Sequence, residues 1–157
     1  MSSNKINTKT ISRIAAIQTL YQYQLNEHNK DINILVQEML SFYQEEKSQT
    51  NSVFNSHKPI KVKLSINHFN SLVKATTENL DQIDVLISNN LTKEWKITNL
   101  QQLLLAILRV AVCELTFFPE ISYKIIVNEF TDITSDMLSD SEVGFVNSIL
   151  DKVAVKV

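Results

Sequence analysis

Leu100-Gln101-Gln102-Leu103-Leu104-Leu105-Ala106-Ile107-Leu108-Arg109-Val110-Ala111-Val112-Cys113-Glu114-Leu115-Thr116-Phe117 carries apolar side chains on almost every side of a helical projection. A helix apolar all round is buried all round, so this stretch reads as the central helix of the fold. Phe117-Phe118-Pro119 ends it, and Thr98-Asn99-Leu100-Gln101 has the form of a capping box at its start. Its longest apolar run, Leu103 to Leu108, stops at Arg109 and is far short of the about 20 residues that span a bilayer. The expectation is a soluble, cytoplasmic protein with no membrane partner.

Outward from that helix the spacing stays helical. Downstream, Ser122 is placed to cap a helix carrying Ile125, Ile126, Val127, Phe130 and Ile133. Ser139-Asp140-Ser141-Glu142 forms a second capping box, opening a last helix with Val143, Val146, Ile149, Leu150 and Val153 inward. Upstream, Phe69, Leu72, Val73 and Thr76 repeat at helical spacing, as do Leu80, Ile83, Leu86, Ile87 and Leu91, with a break near Glu78–Leu80. Trp95 and Ile97 fall in the next connection and are expected to plug the core.

Periodicity fails from Glu45 to Lys63, a stretch rich in Ser, Asn, Gln and Lys that contains Pro59; a long, mobile loop is expected there. Its Lys47, Lys58, Lys61 and Lys63 read as solvated loop charges. Before it, Asp31 caps a helix with Ile34, Leu35, Met39, Leu40, Phe42 and Tyr43, reaching about Gln44. A first helix spans about Thr8 to Leu25, with residues 1–7 flexible. The sum is about seven helices in a single all-α domain over 1–157, with no strand and no repeat.

Composition agrees. The 157 residues include one Gly and two Pro, too few for a turn-rich sheet fold or a glycine-cradled phosphate site. A domain of this length buries roughly 70% of its unfolded surface and needs no staple. The lone Cys113 sits in the apolar run, where a structural thiol is expected rather than a nucleophile. His28, His57 and His68 lack a second ligand at metal spacing and read as surface histidines. No catalytic constellation and no cofactor motif is found, so an enzyme is not expected. Arg109 and Glu114, five apart, do not face each other; each is expected to pair with another helix, through Glu129 or Asn128.

The net charge of −2 excludes nucleic-acid binding by bulk charge, and leaves a local basic face as the alternative. Lys5, Lys9 and Arg13, spaced by four, form such a stripe on the first helix. Ile14, Ile17, Tyr21 and Leu25 read as its core face, with Tyr21 near the boundary. That pairing of anchor and charge points to an anionic partner such as RNA. Phe145 flanks the buried stripe of the last helix and is open to two readings, simple core or an aromatic that stacks on a base.

Four motifs follow in order: Arg13-x-x-Ala16-x-Gln18-x-Leu20-Tyr21, Leu108-Arg109-x-Ala111-x-x-Glu114-Leu115, Tyr123-Lys124-x-x-x-Asn128-Glu129 and Phe145-Val146-Asn147-x-x-Leu150-Asp151-Lys152. Together they resemble the bacterial transcription antitermination factor NusB family. Ile83-Asp84, Leu91 and Trp95 add to the match, which runs from about Lys9 to Val153. The resemblance implies two three-helix halves around a shared core. It also implies binding of the boxA element of ribosomal RNA transcripts as a heterodimer with NusE, a small-subunit ribosomal protein, on the RNA polymerase elongation complex.

The family's arginine-rich start maps onto Lys9 to Arg13, its RNA-contacting tyrosine onto Tyr21 with Gln18 one turn earlier, and an aromatic near the RNA path onto Phe145. The sequence departs from the pattern at Lys9-Thr10-Ile11-Ser12-Arg13, where members crowd arginines. It departs again at Gly144, often basic, and at Ser122, usually proline. The thinner charge implies that RNA binding leans on NusE, up to the alternative of a protein-interaction module whose RNA affinity is mainly its partner's. The same domain also precedes the catalytic domain of some ribosomal RNA methyltransferases; without a cofactor-binding α/β segment that reading is expected to fail unless the chain is a fragment. A homodimer hiding the basic face is compatible with the sequence.

Overall fold

The computed structural model describes residues 7–53 and 62–156, and among these it contains helices and no strand. Seven α-helices follow one another: α1 Thr8–Leu25, α2 Ile32–Val53, α3 Ile66–Glu78, α4 Leu80–Asn89, α5 Gln102–Phe117, α6 Tyr123–Met137 and α7 Asp140–Lys156. A single 3-10 turn, Ile97–Asn99, precedes α5. No described helix is long and apolar enough to cross a membrane. The chain divides into two compact units, Met1–Ser71 and Leu72–Val157.

In the first unit α1 begins where the Asn7 side chain accepts the Lys9 backbone N–H at 2.8 Å. It ends without glycine: Glu27 and His28 both take left-handed backbone, at φ 52° and 62°, and the His28 ring stacks on Tyr23 at 4.4 Å. Left-handed residues terminate helices because they aim the next amide back at the last carbonyls, and here His28 N–H reaches Tyr23 O at 3.0 Å. Asp31 caps α2 as expected, its carboxylate accepting the Asn33 N–H at 2.9 Å. α2 then runs on to Val53, past the expected end at Gln44. Loss of apolar periodicity removes a burial signal, not helix propensity: Glu45, Glu46, Lys47 and Gln49 are good helix formers, and no Gly or Pro interrupts before Pro59. The rest of that segment, with Lys58 and Lys61, lies largely outside the described residues, as do Lys5 and His57.

Ser12 ties the first unit together. Its buried hydroxyl lies 2.8 Å from Ser65 O and 2.9 Å from Thr8 O, and accepts the Ser65 N–H at 2.8 Å. A segment 53 residues away in sequence is thereby fixed to α1 just before α3 starts.

In the second unit α5 is the centre. Every residue from Leu104 to Leu115 is buried, and α4, α6 and α7 pack on it. Fully burying one Leu or Ile is worth about 1.5–3 kcal/mol, so this helix is the main apolar anchor of its unit. The expected capping box does not form: α5 starts two residues later, at Gln102, after the 3-10 turn, with no side-chain cap. Ser122 holds the N-cap position of α6 without a cap bond from its side chain. The break between α3 and α4 falls at Asn79, whose amide donates to Ala75 O at 2.8 Å.

Two polar residues of α5 are resolved by this packing. Arg109 forks onto Asp84 of α4, Nε to Oδ1 at 2.9 Å and Nη2 to Oδ2 at 2.8 Å. Its partner is thus Asp84, not Glu129 or Asn128, and its role is structural. Cys113 is buried and its thiol is pushed up to about 12, first by desolvation, against a smaller opposing hydrogen bond with Thr76. His68, expected at the surface, is 9% exposed because it shares the inward side of α3 with Phe69 and Leu72.

Candidate nucleic-acid interface

α1 is buried over a wide arc: Ile11, Ser12, Arg13, Ala15, Ala16, Ile17, Thr19, Leu20 and Gln24. At 100° per residue, Ile14, Gln18, Tyr21, Gln22 and Leu25 fall on the remaining arc, where each is half-buried or exposed. The apolar repeat Ile14, Ile17, Tyr21, Leu25 is therefore not the core face; only Ile17 points fully inward, and Leu25 is 55% exposed. The repeat misleads because the true core face includes the polar Ser12, Arg13, Thr19 and Gln24.

That rotation changes the basic stripe. Lys9 is exposed at the head of α1, whereas Arg13 is 2% exposed, lies on the inward face beside Ile17 and Leu20, and is not without a partner. A buried guanidinium persists only when it is paired, so Arg13 stabilises the fold and presents no free charge. Of the expected stripe, Lys9 is exposed, Arg13 is buried and Lys5 lies outside the described residues. Gln18 and Tyr21 lie on the outer arc one turn apart, and the Tyr43 hydroxyl of α2 donates to Gln18 Oε1 at 3.0 Å, holding that amide in place. Lys9, Gln18 and Tyr21 therefore share one helix of the first unit.

Phe145 belongs to the second unit. On α7, Val146, Ile149, Leu150 and Val153 are buried and Phe145 is half-buried at their flank. Its ring faces that of Trp95, with centroids 6.3 Å apart and planes at 57°. Trp95 does not plug the core; it is 49% exposed. Its backbone N–H donates to Thr92 O at 3.0 Å, closing a turn that carries the exposed indole. Trp95, like Arg13 and His68, lies where the sequence did not place it. The available signal was its setting, Lys93-Glu94-Trp95-Lys96, in which every neighbour is charged.

At the head of α7 the Ser139 and Ser141 hydroxyls both donate to the Glu142 carboxylate, the latter at 2.7 Å. These bonds hold the Glu142 carboxyl below its ordinary value of 4.5.

Among the described residues no three His, Cys, Asp or Glu side chains gather to hold a metal ion. The described residues form an all-helical protein with polar and aromatic side chains on its partly exposed faces. The NusB family model matches residues 10–155. The transcription antitermination protein NusB of Rickettsia bellii is 52% identical over 98% of this chain and 94% of its own length. That of Rickettsia massiliae is 47% identical over 98% and 96%. Among solved structures, T. maritima NusB superposes with a TM-score of 0.73 at 23% identity, covering 96% of this chain and 94% of its own. A structure of the antitermination factors NusB and NusE in complex with double-stranded RNA gives 0.72 at 18%, covering 94% and 96%. The chain belongs to the NusB family of transcription antitermination proteins.

Proposed function

We propose that this chain is a cytoplasmic, RNA-binding antitermination factor that, with NusE, engages the boxA element of ribosomal RNA transcripts on the RNA polymerase elongation complex. The observation that carries it is end-to-end identity of 52% with a NusB antitermination protein. Lys9 supplies a phosphate contact, Gln18 and Tyr21 face the RNA from the outer arc of α1, and Phe145 offers a ring for stacking. Lys5, outside the described residues, is proposed as a further cation for the RNA. Arg13, buried on the inward face of α1, is not a direct phosphate contact.

Burial of Arg13 favours a strong dependence on NusE, because the described part of α1 then offers few free cations to phosphate. Anisotropy of labelled single-stranded boxA RNA, titrated with the protein alone and with NusE across a salt series, tests both points. Lys9→Gln is expected to weaken binding and lower the salt slope by about 0.7, the single-strand value per phosphate contact. Tyr21→Ala is expected to weaken binding with helix content unchanged. RNA binding absent under both conditions would overturn the proposal; binding with NusE that ignores both substitutions would leave α1 out of the interface.

A further inference from the structure

Trp95 stands as a ridge between two surface grooves of the second unit. One, about 370 Å³, is walled by Trp95 and Phe145, with Asn99, Gln101, Ser141 and Glu142 among its polar lining. The other, about 510 Å³, has Lys93 and Lys96, both exposed, in its lining. A half-exposed indole is unusual without a partner, since aromatic side chains bury a large apolar area whenever they can.

We infer that the Trp95–Phe145 pair seats one unstacked base of single-stranded RNA, while Lys93 and Lys96 hold the adjoining backbone. This rests on the RNA-binding function proposed above and adds Trp95 and the two lysines to it. Proteins that bind single strands combine aromatic rings for the bases with a basic groove for the phosphates, and these two grooves supply one part each. Charge fixes the orientation. Glu142 carries a carboxylate held ionised by two serine hydroxyls, so a phosphate is repelled from the aromatic groove. The phosphates therefore run on the lysine side, and the base turns inward. Inside, the amides of Asn99 and Gln101 and the Glu142 carboxylate offer donors and acceptors to a base edge, the groups by which unpaired RNA bases are read. With centroids 6.3 Å apart the two rings already touch, so the base stacks on the exposed indole, which its contact with Phe145 steadies. Backbone bonds Trp95 N to Thr92 O and Asn99 N to Lys96 O, at 3.0 and 2.9 Å, pre-organise the turns that carry Trp95 and Lys96.

The chain has one tryptophan, so the part of the fluorescence that Trp95→Phe removes reports this seat. Adding single-stranded boxA RNA to the protein with NusE is expected to quench Trp95, with the midpoint seen by anisotropy of the labelled RNA. The same sequence as a duplex, whose bases stay stacked, is expected to quench far less. Trp95→Ala should weaken single-strand binding about 5- to 150-fold and Trp95→Phe only a few-fold. Lys93→Gln with Lys96→Gln should lower the single-strand salt slope by about 1.4. RNA binding without quenching overturns the inference and leaves the proposed function standing, as does equal quenching by the duplex. Quenching by NusE without RNA would make the ring pair a protein contact and likewise overturn it. No RNA binding at all overturns both.

Discussion

Replacing Asp84 by Ala strands a cation. Arg109 leaves α5 with its side chain only 10% exposed and makes both of its hydrogen bonds here to a carboxylate that is 28% exposed. Exposed ion pairs contribute about 0.2–1 kcal/mol, while removing one partner of a buried pair costs about 3–5. The pair sits between these limits and nearer the second, because the group left behind is the more buried one. Solvent reaching Asp84 lowers the figure to about 2–3 kcal/mol, by the same reasoning. For a chain of this length each kcal/mol shifts Tm by about 2–4 °C, so Asp84→Ala should melt about 4–12 °C lower. Urea unfolding should show a lower midpoint at an unchanged slope. Adding Arg109→Met removes the stranded charge, and the double variant should be more stable than Asp84→Ala alone, a non-additivity of about 1–3 kcal/mol. A single-variant loss below about 0.5 kcal/mol, or strict additivity, would refute the assignment of this pair as the link between α4 and α5.

Ser12→Ala removes the closest acceptor of the part-buried Ser65 N–H, which keeps Thr8 O at 3.3 Å, and should cost about 0.5–1.5 kcal/mol in chemical denaturation. Cys113 should not react with an aromatic disulfide reagent until the protein is unfolded, since its thiol is pushed up to about 12. Because the folded value lies above the ordinary 9.0, the stability this thiol contributes is complete below pH 9 and is lost as pH rises towards 12. Cys113→Ala should remove that part of the alkaline stability loss, read by denaturation midpoints across the range. Glu142 behaves oppositely: its carboxyl is lowered, first by the Ser139 hydroxyl and then by that of Ser141, so its contribution is present above pH 4.5 and fades as pH falls through the folded value. Ser139→Ala should raise the Glu142 titration midpoint measured by NMR, and an unmoved midpoint would discount the hydroxyl.

The parts of the fold legible in the sequence are those decided by burial. α5 declared itself because twelve consecutive residues, Leu104 to Leu115, have no solvent side. The start and end of α1, the Asp31 cap and the break at Asn79 were legible because local chemistry sets them. The illegible parts depend on neighbours. The length of α2 beyond Gln44 has no apolar stripe to announce it, and the partner of Arg109 lies 25 residues away on another helix. Thr98-Asn99-Leu100-Gln101 shows the limit of motif reading: its residues suit a cap, yet the chain spends them on a 3-10 turn that buries Leu100 and leaves Asn99 and Gln101 on the groove beside Trp95.

The candidate site was legible in its residue types and not in their directions, and α1 shows why. Hydrophobic spacing assumes that polar residues face water, but Ser12, Arg13, Thr19 and Gln24 all face inward. Thr19 does so by donating back to Ala15 O at 2.8 Å, and Ser12 by binding Ser65. Once these polar residues occupy the core side, Gln18 and Tyr21 are forced onto the outer arc and Arg13 off it. The same helix thus gains partly exposed residues suited to bases and loses a charge suited to phosphate. A chain of net charge −2 that also withdraws an arginine must draw its phosphate contacts from elsewhere. Lys93 and Lys96 flank an exposed tryptophan, which is why Trp95, rather than a further turn of α1, is the position where a single substitution should separate base recognition from charge.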